Sequence, residues 1–376
     1  MHYLATTILS LSVVFSTVTR PAYSQVSAKE DSLLKAKKHF SFAVQYKKSE
    51  SYELARKNYL ESIAYNDTVY QVHYSYGDLL IKMNRPHEAR HEFARSLDLN
   101  PEHYNSASML ARLCYEAADY DSALAAFELM YRLKPDDHQA LRNIASLREH
   151  LGMKRKALEA YTALAESGKA DTDILERASG IAAELGEWKT SLQFTTLMLE
   201  DSPDDTELLR RGAQACLELG DPKEALVHAE ELASLGETDI VILERIEQLA
   251  LRIGDTETRI NALTLHNAAD RRNTGITAEL AENLLVRGKQ ELAAEYIAKG
   301  LEIKPDDGRL RILMGNYYHK RGENDKAIAE YEAALKDERW KDDAQQFIWQ
   351  IRPPASEDEK AEREFFERGR EAQDPE

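Results

Sequence analysis

Gly152, Gly186, Gly220, Gly254, Gly288 and Gly322 recur at an unbroken interval of 34 residues, and Pro101, Pro135, Pro203 and Pro305 are separated by multiples of the same interval. Sixteen glycines placed at random would hardly make such a ruler, so the chain is built from an internal repeat. In rows of 34, residues 36–341 form nine rows with no insertion or deletion. One column reads Ala55, Ala89, Ala123, Ala157, Ser191, Ala225, Arg259, Ala293 and Ala327, and four residues later stand Tyr59, Phe93, Phe127, Tyr161, Thr195, Ala229, Leu263, Ile297 and Tyr331. A small residue and a usually bulky one four apart share a helical face: the first lets two helices approach, and the second fills the space beside them. Each row therefore predicts two helices, one before the glycine and one running to the proline, where the next helix begins. Neither helix buries its apolar face alone. Stacking neighbours buries it, and the expected architecture is an all-α solenoid.

These columns resemble the tetratricopeptide repeat family, over 306 of the 376 residues. Gly77 and Gly315 stand at the close-contact glycine of the first helix, Tyr46 and Tyr318 at its aromatic position, and Tyr52, Tyr120 and Trp188 after the turn. The family's first-helix tryptophan is missing from every row, and the row 240–273 carries Arg259 where alanine belongs. The resemblance implies a right-handed superhelix of about nine helix-turn-helix repeats whose first helices line a concave groove that holds a peptide or partner segment. Members that bind chaperone C-termini grip the carboxylate with a lysine and asparagines. Phe40 and Val44 stand where that lysine and the first asparagine would be, so that activity is not carried over.

The groove lining is expected from the second, fifth, ninth and twelfth positions of each row. These give Gln71, Tyr74, Asp78, Asn105, Arg112, Tyr115, Arg142, Arg210, Gln214 and Gln248, polar and aromatic residues able to grip an extended backbone. Glu176, Arg210 and Glu244, each followed directly by an arginine (Arg177, Arg211, Arg245), predict a ladder of ion pairs between stacked helices. Cys114 and Cys216 share one column three rows apart, too far for a disulfide, and read as buried, unpaired thiols.

One motif points elsewhere. His87, Glu88 and His91 have the HExxH order that lets two imidazoles on one helix face share a zinc while the glutamate takes a proton from bound water. Ala89 and Phe93, however, belong to the alanine and ring columns, and the columns of the two histidines hold Glu, Asp, Lys, Arg, Gln, Asn, Ala and Val in other rows. The motif falls on a solvated repeat face and lacks a third ligand and a cleft. The expected function is a non-catalytic scaffold with no metal and no cofactor. The alternatives are a metal-dependent hydrolase at His87, Glu88 and His91, or a repeat subunit regulating a separate envelope enzyme.

The first 24 residues, with an apolar run from Leu4 to Val18 ahead of Ala22-Tyr23-Ser24, read as an export signal cut near Ser24, with a retained anchor as the alternative. The expected location is periplasmic. A lead-in spans 25–35, a capping helix 342–352 and an acidic tail 353–376. No later segment reaches the ~18 uninterrupted apolar residues of a membrane span. A net charge of −17 opposes nucleic acid, whose affinity comes from basic side chains, so the expected partners are protein or peptide segments. Finally, Arg259, His266 and Asn267 sit where small and apolar residues belong, which makes the row 240–273 the expected weak joint of the stack.

Overall fold

The computed structural model describes residues 19–354 and, after them, 356–357, 360–361 and 363–365. The residues up to Ile174 form one compact unit and those from Leu175 onward another. In the first unit lie α1 (Thr19–Lys48), α2 (Tyr52–Tyr65), α3 (Tyr70–Lys82), α4 (Pro86–Leu99), α5 (Tyr104–Glu116), α6 (Tyr120–Leu133), α7 (His138–His150) and α8 (Lys154–Glu166). The helix α9 (Thr172–Glu184) contains the boundary, and α10 (Trp188–Asp201), α11 (Thr206–Glu218), α12 (Pro222–Ser234), α13 (Ile240–Ile253) and α14 (Thr256–Ala269) follow. The chain continues through α15 (Thr274–Val286), α16 (Gln290–Ile303), α17 (Gly308–Lys320), α18 (Asn324–Ala334) and α19 (Lys341–Ile351). No strand occurs among the described residues, and the first eighteen helices make nine successive pairs, one to each row. Residues 1–18 of the expected export signal and most of the acidic tail lie outside the described residues. The lead-in 25–35 belongs to α1, which passes without a break into the first row.

The turn inside each pair explains the glycine ruler. From Gly152 to Gly322 every glycine of the column has a φ between 72° and 80°. Gly152 N–H donates to the Glu149 carbonyl at 2.9 Å and Met153 N–H to the Arg148 carbonyl at 2.7 Å, the pair of reversed bonds that closes a helix through a left-handed residue. Glu50, Asn84 and Ala118 occupy the same column in the first three rows with φ of 59°, 56° and 56°, so the turn is kept where the glycine is not. Aspartates hold the other ends. Asp137, Asp205, Asp239 and Asp307 each accept a backbone N–H at the start of a first helix, which fixes where each row begins.

Every alanine of the small column is fully buried, and so is every residue of the ring column, Phe127 being the most exposed of these at 8%. Close approach is the reason Gly77 is needed: a Cβ there would lie 2.9 Å from the Phe93 ring. Where Ser191 and Thr195 replace alanine and ring, the polar atoms are satisfied locally, Ser179 Oγ lying 3.2 Å from Ser191 Oγ and 3.0 Å from Thr195 Oγ1. At the end of the second unit, Ala344 and Ile348 of α19 are buried against Ala327 and Tyr331, with the Phe347 ring stacked 5.2 Å from Tyr331.

In the row 240–273, Arg259 is partly engaged: its buried Nε has no hydrogen-bond partner among the described residues, whereas its two terminal nitrogens do. Arg259 reaches α15, where Nη1 donates to Asn283 Oδ1 at 3.2 Å and Nη2 pairs with Glu279. His266 is buried, its Nδ1 2.9 Å from Glu247 Oε1, and Glu247 itself occupies the small-residue column of Gly77, Ala111, Ala145 and Ala213. Asn267 accepts from the Thr277 hydroxyl at 2.7 Å. The departures of this row are therefore joined to one another and to the next row.

Candidate functional site

First helices of successive rows lie beside one another within each unit, so the predicted lining residues divide into two sets. In the first unit α3 carries Gln71, Tyr74 and Asp78, α5 carries Asn105, Arg112 and Tyr115, and α7 carries Arg142. Several are engaged within the unit. Tyr74 is half-buried with its ring 5.7 Å from Phe93 and 4.9 Å from His103, and Asp78 pairs with Lys47 at 3.1 Å. Arg142 pairs with Asp171 at 2.7 Å, and Arg112 with Glu116 at 3.4 Å. Gln71, Asn105, Arg112 and Tyr115 are exposed.

In the second unit, Arg210 and Gln214 on α11 border a cavity of about 470 Å³ between α9, α11 and α13. Gly180 and Ala183 of α9 create it, because a Cβ on Gly180 would meet nothing within 4 Å. Trp188, the first residue of α10, and Val241 of α13, 65% exposed, supply apolar walls. The polar rim is held in place before any partner arrives. Arg210 is fixed by Glu237 and by Asp239, whose carboxylate lies 3.5 Å from its Nε, and Gln214 donates to Glu218 at 2.8 Å while accepting from Arg245. Side chains already held in one rotamer lose little entropy on binding, and Arg210 and Gln214 retain N–H donors for a partner's carbonyls. The same face carries a second cavity of about 410 Å³, lined by Arg245, Gln248 and Arg252 with Leu217 and Leu249.

The predicted ion-pair ladder takes a different path. Arg211 pairs with Glu176 at 3.4 Å, as a rung should, but Arg210 turns to Glu237 and Asp239 and Arg245 to Glu218 at 2.9 Å. Glu237 and Asp239 stand in the turn before α13 and Glu218 is the last residue of α11, so these pairs form with neighbours other than the residue one row away. Sequence reasoning missed Gly180, Ala183, Trp188, Val241 and Arg252. The first two and Val241 stand at predicted groove positions but are small or apolar, and a filter for polar residues discards them. Position alone, without that filter, would have found them.

His87 and His91 are exposed, and Glu88 pairs with Arg85 at 2.6 Å. Among the described residues no group of three or more His, Cys, Asp or Glu side chains is placed to hold a metal ion. Cys114 and Cys216 are free and buried, and burial pushes the Cys216 thiol up to about 12. Among the described residues no helix is long and apolar enough to cross a membrane.

Tetratricopeptide repeat family models match residues 74–138 and 308–336, so the chain carries repeats of this type in both units. Among solved structures, similarity is found to a tetratricopeptide repeat protein from Parabacteroides merdae, 18% identical, with 66% of this chain and 98% of that one covered and a TM-score of 0.31. It is also found to YrrB, described as a TPR protein with an unusual peptide-binding site, at 14% identity, 50% and 96% coverage and a TM-score of 0.35. Naa15/Naa10 bound to HypK-THB matches at 17% identity, 90% and 66% coverage and a TM-score of 0.40. No curated protein shows a significant sequence match.

Proposed function

We propose that the chain is a non-catalytic scaffold and that the first-helix face of its second unit holds an extended segment of a partner protein. The observation that carries this reading is the cavity opened by Gly180 and Ala183 in front of Trp188, with Arg210 and Gln214 fixed on its rim. An apolar side chain of the segment fills the cavity against Trp188 and Val241, and its backbone carbonyls accept from Arg210 and Gln214. The neighbouring cavity, with Arg245, Gln248 and Arg252 on its walls, suits an acidic side chain further along the same segment. Small hydrophobic pockets flanked by convergent donors are the usual way a helical groove reads an extended chain.

The reading includes export to an extracytoplasmic compartment, supported by the apolar run Leu4–Val18 ahead of Ala22-Tyr23-Ser24. Selection of a random peptide library on the full chain tests the binding. Selected peptides should share an apolar residue near an acidic one, and Gly180→Leu should weaken them about tenfold or more, since a side chain would occupy the cavity. Gly180 lies within a helix, so that variant should fold at least as stably as the parent. Peptides unaffected by Gly180→Leu would exclude the cavity as the site.

A further inference from the structure

Away from the first-helix face, the second helices α14 and α16 leave between them a cavity of about 430 Å³, floored by Thr277 of α15 and by Gly300. Thr277 gives this floor a hydroxyl, and Gly300 gives it bare backbone, because a Cβ there would lie 2.6 Å from Leu310 Cδ1. Asn267 stands in a column whose other members, among them Leu97, Leu199, Ala233 and Leu301, carry no amide, whereas the columns of Thr277 and Gly300 hold polar or small residues elsewhere too, such as His73 and Ser96. Asn267 is thus the lining position that departs from the repeat.

The lining carries several polar groups. The Thr277 hydroxyl donates to Asn267 Oδ1 at 2.7 Å, which leaves the Asn267 amide nitrogen as a donor without a partner among the described residues. Arg271 and Lys299 stand on the lining, neither in an ion pair among the described residues, and Lys299 Nζ lies 5.6 Å from the centre of the Tyr296 ring. Glu302 is the lining's carboxylate, and Ile303, 48% exposed, supplies an apolar part of the lining.

We propose that this cavity binds a small monocarboxylate with an apolar body. The carboxylate accepts from the Asn267 amide, Arg271 and Lys299, and the body packs on Tyr296 and Ile303. Two cations against one carboxylate leave a single positive charge, which matches a monoanion better than a phosphate dianion. The planar guanidinium also fits a carboxylate in two-point contact. The same chemistry occurs in a free organic acid and at the end of a polypeptide whose last residue is apolar.

Saturation-transfer NMR on the full chain, with phenylacetate, phenylacetamide and a ten-residue peptide ending in phenylalanine as probes, tests the site and separates the two sources. Phenylacetate should bind, and the amide should bind about tenfold more weakly or not at all. Asn267→Leu gives this position the leucine of the row 274–307 and should abolish binding while circular dichroism shows the chain still helical, and Arg271→Ala should weaken binding. Displacement of phenylacetate by the peptide identifies a chain terminus as a ligand, and failure of the peptide to compete identifies the free acid. No transfer to phenylacetate, equal binding of the amide, or binding that survives Asn267→Leu would overturn the proposal.

Discussion

Ala118 shows what a single position costs in a repeated turn. Its φ of 56° is the conformation that Gly152 and its successors adopt freely, whereas a Cβ is crowded there. Ala118→Gly should therefore raise stability by about 1 kcal/mol, the usual penalty for a non-glycine residue in the left-handed region, and Gly220→Ala should lower it by a similar amount. Thermal melts of the two variants check both signs. Cys216 gives a second outcome at this scale. With its thiol pushed up to about 12 by burial, it should react with a thiol reagent at neutral pH only when the protein opens, so labelling should be slow in buffer and complete in denaturant. The small and ring columns were legible residue by residue because the repeat displays each position nine times. Glu247 was not, because its meaning lies in a hydrogen bond to His266, 19 residues away, and a column holds each partner alone.

Between elements, buried histidines join the two helices of a pair. His73 on α3 is buried, with Nδ1 2.7 Å from Glu92 Oε2 on α4 and Nε2 3.0 Å from the Asp67 carbonyl. Burial works against its charge, but the hydrogen bonds to Glu92 and Asp67 outweigh it, and its pKa is raised above the usual histidine value of 6.5. A folded-state pKa raised in this way contributes stability that is fully present below the unfolded value and is lost as pH rises through the folded one. Amide exchange in α3 and α4 should accordingly quicken as pH goes from about 6 to about 8, after correction for intrinsic exchange, and His73→Leu should remove that dependence. At the joint expected to be weak, Glu247 on α13 pairs with His266 on α14, and Arg259 on α14 pairs with Glu279 on α15. Glu247→Ala leaves the His266 ring buried without its hydrogen-bond partner and should destabilise by roughly 1–3 kcal/mol, read from denaturant unfolding. Helix pairing was legible from the sequence, since a 34-residue period with a turn glycine permits little else. The partners of Arg210 were not, since Glu237 and Asp239 stand in the turn before α13 and only the folded turn sets their position.

At the scale of the whole molecule, nine copies of one supersecondary unit provide long faces of equivalent positions, and function enters where the copies differ. The polar lining residues read from the sequence are spread through both units, whereas the cavity at the first-helix face of the second unit arises from Gly180 and Ala183, where side chains are small. Site-specific photo-crosslinking tests this localisation most directly. A photoreactive phenylalanine analogue would be placed at Val241 on the first-helix face and, in a separate chain, at Val227 on α12, which is also exposed at 41% but lies on a second helix. Irradiated in the presence of a selected peptide, the Val241 chain should give a covalent adduct that Gly180→Leu abolishes, and the Val227 chain should give none. An equal yield from both positions, or an adduct at Val241 that persists in Gly180→Leu, would contradict a binding site built at that face.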